Sequence, residues 1–361
     1  MRRQLGAALA AVAAAALVYT GSAVHSAKYG ESRTQEVTRD AMAGATITSS
    51  VRVLTWNICG ESGSCPARNQ PEQLAAQVAS LAVSRSAEAV FLQEVCGNDA
   101  ENDKTVDGSK TADKSEVTLL GEKLGSGWNI AFVPYVRPAE NRFGSTMPGQ
   151  DGTTVTYPPR YPNPSATSDF RCRGPQLVGV QGIAIAVKGT LGEREEFDLH
   201  SPKAGLFLRA LCVRRMSGTP VRFCTSHLTP KSEDYDPRAG FSYRAEQVQR
   251  LQEIVGDGHD TVFGGDFNTR PPDDPASGSD SGILAPLYAR YRECEQGTSG
   301  TARKGSGTMW DSTDTTVRTD RKYDYLFSQG SFTSCQVQSD SALSAWSDHL
   351  PMVGTASVTT G

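Results

Sequence analysis

Short apolar runs rich in β-branched and aromatic residues recur along most of this chain and alternate with amphipathic stretches. Runs of this length and composition are typical of buried β-strands. No linker or internal repeat interrupts the alternation, so we expect one α/β domain over residues 51–361. The predicted strands are residues 51–56, 89–92, 130–133, 183–187, 210–213, 221–225, 261–263, 323–327 and 352–358.

Two segments between these strands have helical periodicity. Residues 71–83 place Leu74, Val78 and Leu81 on one face, and residues 243–255 repeat this spacing. Two polar stretches are too long for ordinary connections, and we interpret them as functional or mobile insertions. These insertions are residues 97–116 and 134–176.

The N-terminus has the three parts of a secretory signal peptide, because two arginines precede a short apolar run and small residues follow it. We predict a signal peptide over residues 1–27, cleaved between Ala23 and Ala27, and a flexible leader over residues 28–50. The apolar run is shorter than the roughly 20 residues of a spanning helix, so an uncleaved anchor is the weaker alternative. The mature protein is therefore expected to be secreted, with no stable membrane anchor.

The chain contains 8 cysteines, an even number that suits an oxidising compartment. No Cys-x-x-Cys pair or nearby His pair is present, which argues against a structural zinc site. Spacing alone does not fix the connectivity. Our hypothesis is that all cysteines pair in sequence order, including Cys59–Cys65 and Cys212–Cys224.

Composition limits the function classes further. Apolar residues make up 38% of the chain, enough for a sizeable core, which excludes wholesale disorder. Lys and Arg number 36 against 40 Asp and Glu, a net charge of -4. This balance argues against a protein that coats nucleic acid, but an enzyme that cleaves nucleic acid needs only a local phosphate site.

Polar side chains suited to hydrolysis stand at the ends of the predicted strands. Antiparallel pairing brings the end of one strand beside the start of the next, so we expect these side chains to share one rim of the sheets. Each residue alone has an ordinary alternative as a turn residue, a solvated charge or a structural histidine, but the joint pattern favours a site. Its members are Asn57, Glu94, His227, Asp266 and Asn268 after strands, and Asp324, Asp348 and His349 before strands.

A series of short segments, highly specific as a set, carries a family resemblance. In chain order they are Thr-Trp-Asn, Gln-Glu-Val, Ser-His-Leu, Gly-Asp-Phe-Asn, Tyr-Asp-Tyr and Ser-Asp-His. The set resembles the endonuclease/exonuclease/phosphatase superfamily, with its pancreatic-DNase-like fold, in a secreted bacterial-type member. This resemblance implies a four-layer α/β sandwich, in which two packed mixed or antiparallel β-sheets are flanked by helices. It also implies hydrolysis of phosphate esters with Mg²⁺, or with Mn²⁺ or Ca²⁺ in its place.

The resemblance further implies a role for each residue. Glu94 would hold the cation with help from Asn57 and Asp348, since hard oxygen ligands suit Mg²⁺. Asp266 would orient or deprotonate the attacking water, and Asn268 would hold phosphate or water.

Two histidines complete the implied catalytic set. Asp324 would hydrogen-bond to His349, which fixes the tautomer of the imidazole and favours its charged form. Both His227 and His349 would contact the scissile phosphate. Which of the two acts as acid or base stays open.

Members of the superfamily also use a Tyr, Arg or acidic residue from the middle of the chain. Here that region is the 134–176 insertion, whose Arg and Tyr side chains suit phosphate binding and base stacking. We predict that Tyr157 and Arg160 bind substrate, alongside Asn57 and Asn268. The alternative is a proline-rich surface loop tethered through one cysteine, Cys172. Further candidates in the insertion are Tyr135, Arg137, Arg142, Tyr161 and Arg171.

The sequence thus predicts a secreted, monomeric, divalent-metal-dependent phosphoesterase that hydrolyses phosphodiester bonds, with DNA or RNA as substrate. The alternative enzyme is a sphingomyelinase-like or phospholipase-C-like phosphodiesterase, or a phosphatase, of the same fold. A catalytically silent binding module is the alternative outside enzymes. The sequence has no long aromatic hairpin suited to membrane insertion, which favours a soluble substrate.

Overall fold

Two mixed β-sheets of 6 strands each build the part of the protein that the computed structural model describes. The described residues are 46–60, 65–97, 114–135, 146–148, 154–156, 172, 180–201, 208–234, 242–296, 303–311, 313–314 and 318–360. The strands are β1 (Ile47–Asn57), β2 (Ala89–Gly97), β3 (Trp128–Pro134), β4 (Thr146–Pro148), β5 (Thr154–Thr156), β6 (Val180–Lys188), β7 (Leu191–Asp198), β8 (Arg209–Arg215), β9 (Val221–His227), β10 (Thr261–Asp266), β11 (Arg292–Glu293), β12 (Asp324–Ser328), β13 (Phe332–Val337) and β14 (Met352–Thr360). The helices are α1 (Pro71–Ser84), α2 (Glu116–Leu124), α3 (Tyr243–Val255) and α4 (Ala285–Arg290).

Each large sheet has one parallel pair of strands at its centre. In the first sheet, ordered β13-β14-β1-β2-β6-β3, β1 and β2 are parallel and the other pairings are antiparallel. In the second sheet, ordered β11-β12-β10-β9-β8-β7, β9 and β10 are the parallel pair. Strands β4 and β5 form a separate hairpin.

The two sheets pack face to face over a core of aromatic and aliphatic side chains. Phe91 of β2 meets Phe223 of β9 edge to face, with ring centroids 6.1 Å apart. Helix α2 packs against β2 and β3 on the outside of the first sheet. Helix α4 lies beside α3 and packs its Tyr288 ring on Phe327 of β12. The layers run helix, sheet, sheet, helix, which confirms the predicted fold class.

The N-terminal boundary differs from the prediction. Strand β1 begins at Ile47, so residues 47–50 of the predicted leader belong to a strand and pair with residues 357–360 of β14. Most of these side chains are exposed, so this part of the strand has no apolar pattern for sequence reading to detect.

Elements at the sheet edges were also missed. β7 carries several exposed charged side chains and β13 exposed polar ones, as is common on edge strands that must not pair with another chain. Helix α2 begins where the 97–116 insertion ends, and Ser115 caps it by accepting a hydrogen bond from Thr118 N at 3.2 Å. None of the described helices combines the length and the apolar character needed to cross a membrane.

The cysteines pair in sequence order, as predicted. Cys212 and Cys224 lie directly opposite each other on β8 and β9. Another bridge joins the segment after β11 in the second sheet to β13 in the first. The four pairs are Cys59–Cys65, Cys96–Cys172, Cys212–Cys224 and Cys294–Cys335.

Candidate active site

The polar strand ends meet at one rim of the two sheets. Asn57 ends β1, while His227 and Asp266 end the parallel strands β9 and β10. Asp266 pairs with His227 on one side and, on the other, with Asp324, which begins the antiparallel strand β12. Ends and starts of strands therefore lie side by side, as antiparallel pairing requires.

Glu94 reaches the rim through a β-bulge in β2. The register with β6 shifts between Gln93 and Val95, and Glu94 has a left-handed φ of 56°. Bulges re-aim a side chain out of the alternating pattern, and this conformation is uncommon and strained for residues other than glycine. The carbonyl of Glu94 accepts a hydrogen bond from Gly60 N at 2.9 Å, and a Cβ atom at Gly60 would collide with that carbonyl. The loop after β1 thus holds the bulge.

Asn57 links the two sheets at the rim. Its Nδ2 donates to Glu94 Oε1 and to Asp266 Oδ2, each at 3.0 Å. Its Oδ1 accepts from Cys59 N at 2.9 Å. The amide oxygen is therefore engaged by the backbone, and the amide N–H groups orient two carboxylates. In this geometry Asn57 serves the predicted cation site by orienting Glu94.

Asp266 lies at the centre of the cluster and is fully buried. Its Oδ1 accepts from Asn268 N at 2.8 Å. Its Oδ2 lies 3.4 Å from His227 Nε2 and 3.6 Å from His349 Nε2. One carboxylate oxygen thus faces both imidazoles, and the other is fixed by the backbone.

Asp324 and His349 form the predicted pair. His349 Nδ1 lies 2.9 Å from Asp324 Oδ2, and both side chains are buried. Burial opposes the charged imidazole, but Asp324 and Asp266 outweigh it and raise the pKa of His349 well above its ordinary value of 6.5. His349 is therefore an imidazolium at neutral pH, with Nδ1–H donating to Asp324 and Nε2–H facing Asp266.

His227 belongs to a second hydrogen-bonded group. Its Nε2 lies 2.9 Å from Asn268 Nδ2, which also donates to Leu228 O at 2.9 Å. Because an amide nitrogen only donates, Nε2 accepts and the network assigns the proton of His227 to Nδ1. Nδ1 lies 2.7 Å from the hydroxyl of Tyr135, which also accepts from Glu94 N at 3.3 Å. Burial and the nearby Glu94 carboxylate raise the pKa of Tyr135 well above 10.0, so it stays a neutral phenol.

Two residues of the motif segments have roles that sequence reading did not assign. The Ser347 hydroxyl donates to Asn57 O at 2.7 Å and accepts from His349 N at 3.0 Å. The Trp56 indole donates to His349 O at 3.0 Å. Both stand beside predicted site residues in the chain, and this adjacency was the only signal for them. Together they attach the His349 segment to the end of β1.

The donor set at the rim fits a hard divalent cation. Glu94 is half-buried, and within the described residues its second carboxylate oxygen makes no hydrogen bond. That oxygen is therefore available as a cation ligand, and water molecules can complete the coordination shell. One side-chain atom each of Asp266, Asp324 and His349 also lies within 4.8 Å of the others. The His349 imidazolium, however, has no lone pair to offer a cation while both of its ring nitrogens carry a proton. Asp348 is exposed and its carboxylate makes no hydrogen bond to the described site residues.

Of the Tyr and Arg candidates in the 134–176 insertion, one lies within the described residues. Tyr135 is the described member, and its hydroxyl lies inside the cluster. The predicted substrate-binding residues Tyr157 and Arg160 lie outside the described residues, as do Arg137, Arg142, Tyr161 and Arg171.

Carboxylates and imidazoles gathered at one rim of a two-sheet α/β sandwich are the kinds of group that hydrolysis of a phosphate ester requires. Residues 54–349 match the Endonuclease/Exonuclease/phosphatase family, and the chain belongs to this family. No curated protein is similar enough in sequence to match it.

Solved structures show the same fold at low sequence identity. An endonuclease/exonuclease/phosphatase from Beutenbergia cavernae is 17% identical with a TM-score of 0.55, covering 86% of this chain and 72% of that chain. A family protein from Leptotrichia buccalis is 14% identical with a TM-score of 0.51, covering 84% and 98%. A mannosyl-6-phosphatase from Bacteroides thetaiotaomicron is 13% identical with a TM-score of 0.52, covering 85% and 99%. At these identities the likeness is one of fold.

Proposed function

We propose that this protein is an exported, divalent-cation-dependent phosphoesterase that hydrolyses phosphodiester bonds in DNA or RNA. The observation that carries the proposal is the position of Asp266, whose Oδ2 accepts from Asn57 of the other sheet and faces both His227 and His349. Membership of a family of phosphate-ester hydrolases supports it. The paired cysteines support export, since disulfides persist in oxidising compartments.

Asp266 is the group that takes the proton of the attacking water. Its Oδ1 is fixed by Asn268 N, so the carboxylate cannot rotate away while Oδ2 receives the proton. His349 Nε2 lies 3.6 Å from Oδ2, so the imidazole faces the oxygen that receives the proton.

The remaining groups neutralise charge on the phosphate. The His349 imidazolium lies on the same rim as Asp266 and stabilises the negative charge that develops on the phosphate oxygens. Tyr135 accepts from both His227 Nδ1 and Glu94 N, which leaves its own proton to donate to a phosphate oxygen. Glu94 would hold the cation, which supplies Lewis-acid polarisation of the phosphoryl group when bound.

A substrate panel tests the proposal on the full mature chain. Plasmid DNA, RNA, sphingomyelin, mannose 6-phosphate and an inositol phosphate are each incubated with Mg²⁺ and with excess EDTA. Asp266→Asn is compared with Asp257→Asn, which alters an exposed carboxylate paired with Arg290. We expect cleavage of DNA or RNA that EDTA abolishes, that Asp266→Asn lowers at least roughly 100-fold, and that Asp257→Asn leaves unchanged.

Four results would contradict all or part of this function. Full activity in EDTA would show that the reaction needs no divalent cation. Normal activity of Asp266→Asn would show that Asp266 is not the base. Turnover of sphingomyelin or of a phosphomonoester alone would replace nucleic acid as the substrate class. No turnover of any substrate by the folded protein would favour the silent binding module.

A further inference from the structure

A buried arginine of helix α3 lies behind the site and takes no part in the chemistry above. The side chain of Arg244 is 3% exposed. Its Nη1 donates to the backbone carbonyl of Asn268 at 2.6 Å. Its Nη2 donates to Asp234 Oδ2 at 3.1 Å and to Asp280 Oδ1 at 2.9 Å. One guanidinium therefore joins two carboxylates to the backbone of a predicted catalytic residue.

The carboxylates fix the guanidinium in place. Asp234 also accepts from the backbone N of Arg244 at 2.8 Å and from the Ser242 hydroxyl at 2.8 Å. Asp280 is buried, and its other oxygen, Oδ2, forms an ion pair with Lys231 Nζ at 3.2 Å. Buried charges of this kind keep their positions because moving any one of them leaves another unpaired. The Nη1 atom is thus a fixed donor.

Asn268 needs such a donor because its backbone is left-handed, with a φ of 48°. Residues other than glycine rarely adopt this conformation, although asparagine tolerates it better than most. Asn268 is held at three points: its N by Asp266 Oδ1 at 2.8 Å, its side chain by Leu228 O at 2.9 Å, and its carbonyl by Arg244. Arg244 is thus the donor that fixes the carbonyl side of this left-handed residue.

We propose that Arg244 is a positioning residue that holds Asn268 in the left-handed conformation from which its amide reaches His227 Nε2. The inference rests on the proposed function, since it assigns Arg244 an effect on that same reaction. It explains why an arginine stands here: its planar fork reaches a carbonyl with one nitrogen and two carboxylates with the other, which the single nitrogen of lysine cannot do.

Arg244→Lys and Arg244→Ala test the proposal, with kcat and KM measured on the phosphodiester that the wild type cleaves best. We expect kcat to fall at least about 10-fold in both, because small displacements of a reacting geometry are costly. KM should change less than about threefold, because ground-state binding is retained. Guanidinium chloride, but not ammonium chloride, should restore part of the kcat of Arg244→Ala.

Arg215→Ala is the matched control. Arg215 is also buried and also joins a carboxylate to a backbone carbonyl, with 2.9 Å to Glu88 Oε1 and 3.1 Å to Thr219 O. It lies at the opposite end of the second sheet from His227. Its loss should lower the melting temperature and leave kcat unchanged. If both Arg244 variants fail to fold, Asp280→Asn, which keeps Arg244 and removes one of its partner charges, takes their place with the same expected fall in kcat.

Amide hydrogen exchange separates failure of this inference from failure of the proposed function. Exchange in peptides that cover residues 267–270 should rise in Arg244→Lys and stay at the wild-type level in Arg215→Ala. An inactive wild type would overturn the proposed function, whereas unchanged exchange at residues 267–270 would overturn the positioning role. Equal loss of kcat in Arg244→Lys and Arg215→Ala would overturn it as well.

Discussion

The hydroxyl of Tyr135 connects two residues that the site requires from different strands. It lies 2.7 Å from His227 Nδ1 on β9 and 3.3 Å from the backbone N of Glu94 on β2. The first contact fixes the tautomer of the imidazole, and the second helps to hold the bulge that presents the Glu94 carboxylate. One phenol therefore couples the imidazole to the predicted cation ligand.

Tyr135→Phe should lower kcat about 100-fold, the usual order for loss of one donor to a developing charge. The substitution keeps the aromatic ring but removes the hydroxyl, which is the partner of His227 Nδ1 and the proton donor to a phosphate oxygen. Steady-state kinetics would measure this. Tyr288→Phe is the control, because within the described residues the buried Tyr288 hydroxyl has no hydrogen-bond partner. Equal activity of the two variants would refute the role of Tyr135.

Sequence reading located the residues whose position follows from strand ends, such as Asp266 and Asp324, because the ends of apolar runs are visible in the sequence. It did not single out Tyr135, since the 134–176 insertion that contains it holds several tyrosines and arginines with equal claims. Nor did it find Arg244, because nothing in the helical pattern of α3 distinguishes this arginine from the other polar residues of the helix. The roles of both residues follow from tertiary contacts, which a sequence pattern does not reveal.

At the scale of elements, a buried charge cluster supports the segment that precedes β12. The Lys322 side chain is 1% exposed, and its Nζ lies 3.0 Å from Glu293 Oε1 and forms a second ion pair with Glu295. Glu295 in turn accepts from Ser306 N at 2.8 Å. Two residues further on, Thr308 accepts from Asp324 N at 3.2 Å, and its carbonyl accepts from Leu350 N at 2.7 Å. The cluster thus holds a segment that touches both chain segments carrying Asp324 and His349.

Lys322→Met should lower the free energy of unfolding by about 3–5 kcal/mol at neutral pH, because it leaves two buried carboxylates without a cation. Burial raises the pKa of Glu295, but its contacts with Lys322 and Ser306 outweigh burial and hold that pKa below 4.5. A lowered carboxyl pKa stabilises the fold above the ordinary pKa, and this contribution is lost as the pH falls. The wild type therefore loses the contribution of Glu295 as the pH falls below about 4.5, whereas the variant has no such ion pair to lose, so the difference between them should shrink over this range.

Urea denaturation at neutral and acidic pH would measure both effects. Lys123→Met is the control, because Lys123 pairs with Glu72 on the surface, where ion pairs contribute at most about 1 kcal/mol. A loss in Lys322→Met that equals the control, or that does not change with pH, would contradict the assigned role of the cluster.

At the scale of the whole molecule, the site exists because two similar sheets meet. Each contributes a central parallel pair, and the rim brings Asn57 and Glu94 of the first sheet to Asp266 of the second. The alternation of apolar runs and amphipathic stretches predicted a single α/β domain. The resemblance of the motif segments implied its two packed sheets. It did not predict edge strands such as β7, whose charged, half-exposed side chains carry no apolar period.

Because the site spans both sheets, a cation bound there should stabilise the whole fold. A ligand that binds only the native state at about 100 times its dissociation constant adds about 2.7 kcal/mol, which raises the melting temperature by several degrees. We expect Mg²⁺ to do so for the wild type in calorimetry and to have a much smaller effect on Glu94→Gln, which keeps the shape of the side chain but removes its charge. Glu253→Gln is the control, since that carboxylate is 54% exposed on α3. A melting temperature that ignores Mg²⁺ in the wild type, or an undiminished rise in Glu94→Gln, would show that Glu94 holds no cation, and this result does not depend on knowing the substrate.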